Sequence, residues 1–153
     1  MAELKQQLRN DMTAAMKARD KVRLRTLRMV LTAISEAEVS GNATVELTDE
    51  QVRDVLINQA KRRREAEQEF RTAGRDELAD AEQEEAAVLA DYLPQPLTEA
   101  ELAELVAAAI AETGAKELGP RGMGPVMGKL TPQTKGRADG KAVAAEVKRQ
   151  LSA

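Results

Sequence analysis

Residues 48–93, TDEQVRDVLINQAKRRREAEQEFRTAGRDELADAEQEEAAVLADYL, decide the fold. Thr48-Asp49-Glu50-Gln51 is a capping box: the Thr hydroxyl accepts from a first-turn amide and the Gln side chain reaches back. A helix is expected from here to about Ala73. Val52, Val55, Leu56, Gln59, Arg63, Ala66 and Phe70 recur along it at helical spacing. Gly74 stops it, since glycine adopts the left-handed conformation at no steric cost. Asp76 is placed to cap the next helix, running to Leu93. Its stripe is Leu78, Ala81, Glu82, Glu85, Val88, Leu89, Tyr92 and Leu93.

Both stripes contain charge. Antiparallel helices joined at Gly74 set residues equidistant from it side by side. Arg63 and Glu85 each lie eleven residues from Gly74, and Ala66 and Glu82 each lie eight. An unpartnered charge on an apolar face is costly. An Arg in one seam answering carboxylates in the other therefore argues for a hairpin. Arg63, Glu82 and Glu85 are expected to form a structural ion pair that locks register. An Arg beside two carboxylates also admits an acid–base reading.

Two helices precede the hairpin. Leu4, Leu8, Met12, Ala15 and Met16 mark one over residues 2–18. Asp20 can cap a second to Val39, with Gly41 as its stop and Leu24, Leu27, Leu31 and Ile34 inside. Lys21, Arg25 and Arg28 share a neighbouring face of it. Lys61, Arg62 and Arg64 surround Arg63 but point away from the seam, in the densest basic run of the chain. Each set is either a phosphate contact or a solvated face, and the basic run has an acidic helix nearby to answer it.

After the hairpin, Leu93-Pro94-Gln95-Pro96-Leu97 reads as a stiff, extended boundary, because a residue before proline avoids the α conformation. The expected domains are 1–93 and 97–153. The second is a small three-helix unit. Thr98-Glu99-Ala100-Glu101 is another capping box, opening a helix that ends at Gly114, with Leu102, Leu105, Val106, Ala109 and Ile110 inside. A short helix around Met123 to Thr131 is stopped by Pro132. Asp139 caps the last helix, with Val143, Val147 and Leu151 inward.

Composition fits an all-α chain. Of 153 residues only Phe70 and Tyr92 are aromatic, so Leu, Val, Ile, Met and Ala must fill the core. No alternating β-branched run suggests a strand. A net charge of −3 argues against bulk electrostatic binding to nucleic acid, and no DNA contact is expected, though a local basic patch remains open. The chain has no Cys and no His, which excludes disulfides, Cys/His metal sites, thiol catalysis and imidazole acid–base chemistry. No metal and no cofactor are expected. The charged start, MAELKQQLRND, resembles neither a signal peptide nor a membrane span, so a cytoplasmic location is expected.

Recognition concentrates in GPRGMGPVMGKLTPQTKGRADG, residues 119–140, which holds six of the nine glycines and three of the five prolines. It is not a nucleotide loop. Gly124 and Gly128 have three residues between them where a P-loop needs four, and Lys129 is followed by Leu130. A dinucleotide fingerprint needs Gly where Met127 stands, and a preceding strand. Lys135 and Arg137 flank Gly136, just before the capped helix, an arrangement suited to gripping an anion.

Several stretches together resemble one family. AMKARDKVRLRTLRMVLTAI (15–34), KRRREAEQEF (61–70), AGRDELADAE (73–82), LADYLPQPL (89–97), MGPVMGKL (123–130) and KGRADG (135–140) are similar to stand-alone members of the YqeY family, of the GatB/YqeY type. Pro125 departs from the family's usual flexible polar residue and stiffens the start of the short helix. The family's tail domain is also appended to the B subunit of the tRNA-dependent Asp/Glu amidotransferase, and a related module occurs in some glutaminyl-tRNA synthetases. The resemblance thus implies a tRNA-associated accessory role, with tRNA or a tRNA-handling enzyme as partner. Contact residues would be Lys135, Gly136, Arg137, Lys61, Arg62, Arg64, Lys21, Arg25 and Arg28. It also carries the label of a carbon–nitrogen ligase with glutamine as amido donor. That chemistry resides elsewhere in the large enzyme, and no catalytic residue is expected here. A ligase component needing other subunits, and a helical protein–protein adaptor without RNA, are the alternatives.

Overall fold

The computed structural model describes residues 2–153. It contains α1 (Glu3–Ala18), α2 (Lys21–Val39), α3 (Asp49–Thr72), α4 (Asp76–Ala90), α5 (Glu99–Thr113), α6 (Met123–Thr134) and α7 (Gly140–Ser152), with no strand among the described residues. The protein is all-α. The chain divides into two compact units, a first ending at Leu93 and a second, Pro94–Ala153.

The first unit is two helical hairpins packed on each other. Leu8, Leu27, Val30, Ile34, Val52, Leu56 and Leu89 are fully buried at its centre. Asp20 caps α2 by accepting from the Arg23 amide at 3.1 Å. Thr48 and Gln51 form the capping box of α3. Gly74 takes φ +74° after α3, the left-handed turn that closes the α3–α4 hairpin.

Several boundaries and faces differ from expectation. Asp76 does not cap α4; it is the first helical residue, where its charge and that of Glu77 still complement the helix dipole. The helix ends at Ala90 instead of Leu93, and Asp91 to Leu93 close it with tighter three-residue turns before the prolines. Gly41 is not a left-handed stop. Ser40 ends α2 in right-handed conformation, its hydroxyl on the Ala37 carbonyl at 3.0 Å. Leu78 is 43% exposed, and Ala79 is buried in its place. Met16 is 52% exposed, while Lys5 is buried.

Lys5 is buried because Glu38 is there to receive it, at 2.7 Å. The other Glu38 oxygen accepts from the Leu47 amide at 3.1 Å, and its carbonyl accepts from Val45 at 2.9 Å. One residue thus ties α1, α2 and the 40–48 loop. Asp49, opening α3, accepts from the Leu4 amide at 3.0 Å, satisfying a first-turn donor of α1 that Ala2 cannot. The Lys5 ammonium, then the Leu47 amide, hold the Glu38 carboxyl below its ordinary 4.5. A carboxyl depressed on folding stabilises the fold above its unfolded pKa, and that stabilisation is lost as pH falls through the folded value. Glu38→Gln should therefore melt below the parent at pH 7, with the gap closing as pH drops below about 4. Thermal melts across pH 3–7 check this; a gap independent of pH would show that the charge of Glu38 is not what matters.

The second unit packs α5, α6 and α7 around Val106, Val126, Leu130, Val143 and Val147. Thr98 and Glu101 form its first capping box, and Gly114 ends α5 at φ +64°. Residues Ala115–Gly122 make two 3₁₀ turns broken at Gly119 (φ 58°, ψ −133°). Pro125 falls in the first turn of α6, where amides lack intrahelical acceptors and proline loses nothing. Pro132 does not stop α6, which continues to Thr134. The side chains of Thr131, Gln133 and Thr134 each donate to the carbonyl four residues back, so the last turn keeps bonds besides those a proline removes.

Candidate nucleic-acid interface

The turn between α6 and α7 is built by backbone. Arg137 and Ala138 amides both donate to the Thr134 carbonyl, at 2.9 and 3.0 Å. Gly136 sits at φ +75°, a conformation that strains any side chain. Asp139 accepts from the Lys141 amide at 3.0 Å and caps α7. Lys135 is exposed on the near side of the turn.

Arg137 plays a different part from Lys135. Its Nε donates to the Gln95 carbonyl at 3.0 Å, and its own carbonyl accepts from the Leu97 amide at 2.8 Å. The residue clamps the start of the second unit onto the turn. Glu101 faces it: the Thr98 amide, then the Thr98 hydroxyl, hold the Glu101 carboxyl low, and Arg137 adds a weaker attraction.

Within the stretch 119–140 the sequence points to Lys135, Gly136 and Arg137 as contacts, yet a face of α6 also stands out. Gly124, Gly128, Thr131 and Lys135 are spaced i, i+4, i+7 and i+11, hence on one side, and all four are exposed. A Cβ added at Gly124 or Gly128 would meet nothing within 4 Å. Gly122 is the opposite case: there a Cβ would lie 2.6 Å from the Ala115 carbonyl oxygen. Internal packing explains Gly122 and leaves Gly124 and Gly128 unexplained. The spacing was in the sequence, but only exposure distinguishes a bare outer face from a close-packed inner one. Lys129, on the flank, pairs with Glu112 of α5.

The remaining basic residues lie in the first unit. Lys21, Lys61, Arg62 and Arg64 are exposed, Lys61 with Glu65 at 4.0 Å. Arg25 reaches Glu85 at 3.0 Å. Arg63 lies 3.4 Å from each of Glu82 and Glu85 and touches the Met29 sulfur at 3.5 Å. Two guanidiniums and two carboxylates thus form a neutral cluster, its Arg63 and Glu82 side chains only 20% and 18% exposed. Arg63 Nε and Glu82 Oε2 have no hydrogen-bond partner; they attract as charges without aligned donor geometry. Burial raises the Glu82 carboxyl above its ordinary value, and the Arg63 charge opposes the shift. Among the described residues no group of three or more carboxylates is placed to hold a metal ion.

Residues 5–151 match the family described as Yqey-like protein. The chain belongs to the YqeY family. The match includes both units, so helical bundle and glycine-rich tail are alike parts of the YqeY sequence. One relative is Altered inheritance of mitochondria protein 41, mitochondrial, of Pyrenophora tritici-repentis (strain Pt-1C-BFP). It is 35% identical over 133 residues, 86% of this chain and 71% of that protein. Among the described residues of this YqeY protein, no helix is long and apolar enough to cross a membrane.

Proposed function

We propose that the chain is a non-catalytic accessory protein that associates with tRNA through the exposed face of α6 and the turn after it. The observation that carries the reading is the line Gly124, Gly128, Thr131, Lys135. Glycine within a helix costs about 1 kcal/mol relative to alanine. Two such residues face open space, where no internal neighbour requires them. A bare strip of helix backbone lets a phosphodiester chain approach closely. Lys135 ends the strip, and the Asp139-capped start of α7 follows the same turn, where amides favour an anion. Such contacts position an RNA without reading its bases. The resemblance to the amidotransferase tail supports tRNA as the RNA. Lys21, Lys61, Arg62, Arg64 and Arg28, exposed on the first unit, are further candidate contacts there, and Arg25 is held by Glu85. The compartment proposed is the cytosol; the fungal relative's name places that protein in mitochondria.

Filter binding of bulk tRNA at several salt concentrations tests the proposal. Lys135→Ala should weaken all tRNAs alike and flatten the log–log salt slope by about one unit, if Lys135 neutralises one duplex phosphate. Gly124→Ala with Gly128→Ala should raise stability by about 1 kcal/mol per site while weakening binding, because the added methyls fill open space on the free protein but block close approach. Unchanged affinity in both variants would leave KGRADG a helix cap and no more.

A further inference from the structure

Residues 94–96 join two anchored leucines. Leu93 packs against the core of the first unit and Leu97 against that of the second. The three residues between them are exposed, so core packing does not hold them. Pro94 and Pro96 have no amide to donate. Gln95 is fastened instead through its carbonyl, which accepts from Arg137 Nε at 3.0 Å. Leu97 is fixed to the same residue through backbone, its amide donating to the Arg137 carbonyl at 2.8 Å. The first bond depends on one side chain and the second does not.

We infer, on the RNA reading above, that Arg137 is a strap which a phosphate undoes. In the free chain it ties Gln95 to the α6–α7 turn; a phosphodiester seated at that turn draws the guanidinium away and frees residues 94–96. The Gln95 carbonyl is neutral and a phosphate is charged, and a hydrogen bond with charge on both sides is the stronger. A planar guanidinium also meets a phosphate with two parallel donors, where the carbonyl takes one. Glu101 does not hold the guanidinium back. Its carboxylate is engaged by the Thr98 amide at 3.1 Å, and only a weaker attraction reaches Arg137. The released carbonyl lies on exposed chain and takes water, so opening leaves no buried acceptor unpaired. Arg137 is two residues from Lys135, so both cations belong to one turn. With the strap closed, Pro94 alone separates Leu93 from the fastened Gln95. With it open, the tether runs through Pro94, Gln95 and Pro96, about 10 Å of extended chain. RNA binding thus lengthens the tether, and by linkage a closed strap weakens RNA binding.

The test follows backbone relaxation of the Gln95 and Leu97 amides and the Nε–H signal of Arg137 in the full chain, free and saturated with bulk tRNA at low salt. In the free chain Gln95 should be as rigid as α5 and α6. With tRNA it should become mobile while Leu97 stays rigid, and the Arg137 Nε–H signal should shift. Arg137→Met keeps the aliphatic stem and removes the donor. In that variant Gln95 should be mobile without RNA, with Val143 and Val147 signals unmoved, and the log–log salt slope for tRNA should flatten by about one unit. A mobile Gln95 in the free parent, or a rigid one in Arg137→Met, overturns the strap. If tRNA binds in a Lys135-dependent way while Gln95 stays rigid, or if Arg137→Met keeps the parent slope, the strap does not open and the inference falls while the RNA reading stands. If the parent binds no tRNA, both fall.

Discussion

Gly122→Val is expected to unfold the second unit and leave the first intact. A Cβ at this position would lie 2.6 Å from the Ala115 carbonyl oxygen and 2.7 Å from the Ala115 Cβ, distances that real contacts do not reach. Ala115 cannot yield easily. It is fully buried, and it follows Gly114, whose left-handed φ of 64° fixes the chain direction out of α5. Overpacking of one or two methyls costs about 1–3 kcal/mol where neighbours can shift, and more against backbone. A unit of about 60 residues has little to lose, since a single core of that size supplies only about 3–5 kcal/mol. Amide spectra should show residues 97–153 collapsing to random-coil positions while those before Leu93 keep their dispersion. Loss of both sets together would mean that the units do not fold independently, and retention of both would mean that Ala115 gives way.

Arg63→Ala should cost about 3 kcal/mol at pH 7. The guanidinium answers two carboxylates, Glu82 and Glu85, each at 3.4 Å and each largely out of solvent. Without it Glu85 keeps Arg25, but Glu82 is left with no cation in contact. Its carboxyl already stands above the ordinary value because of burial, and losing Arg63 pushes it further up. A carboxyl raised on folding favours the fold below its unfolded pKa, and that advantage is lost as pH rises through the folded value. The damage from Arg63→Ala should therefore be greatest at neutral pH and shrink towards pH 5 as Glu82 takes up a proton. Urea melts at both pH values measure it. A loss under about 1 kcal/mol, flat with pH, is what a solvated pair would give, and it would remove this cluster as a determinant of register.

The α3–α4 hairpin was legible in the sequence because its signals agree. The Thr48 capping box opens α3, Gly74 supplies the left-handed turn that ends it, and the equal distances of Arg63 and Glu85 from Gly74 fit a fold-back there. Caps at Asp20, Thr98 and Asp139 were legible for the same reason: side-chain chemistry acts within a few residues. What could not be read was contact over long separations. Lys5 looks like a solvent residue until Glu38, thirty-three positions on, is seen to receive it at 2.7 Å. Asp49 reads as first-turn charge of its own helix, and nothing local shows that it also caps α1. Pro132 looked like a terminator because its effect on the preceding carbonyls is local, whereas the bonds that keep α6 going come from three following or adjacent side chains. The candidate interface divides in the same way. KGRADG was visible as a loop, but Arg137's hold on Gln95, forty-two residues away, was not.

The placement of Tyr92 has an optical consequence. Its hydroxyl donates to Asp11 at 2.5 Å, inside the first unit, and the chain has no tryptophan and no other tyrosine. The second unit contains no aromatic ring at all. Near-ultraviolet emission from this protein therefore comes from one phenol, and the neighbouring carboxylate quenches it in the fold. Intrinsic fluorescence should brighten when the first unit opens and stay silent when the second does, while the far-ultraviolet signal of helix registers both. One sample followed at two wavelengths can thus separate the two unfolding events without a label. The same scarcity of rings makes bound nucleic acid conspicuous, because even a small amount would dominate the absorbance of the preparation near 260 nm.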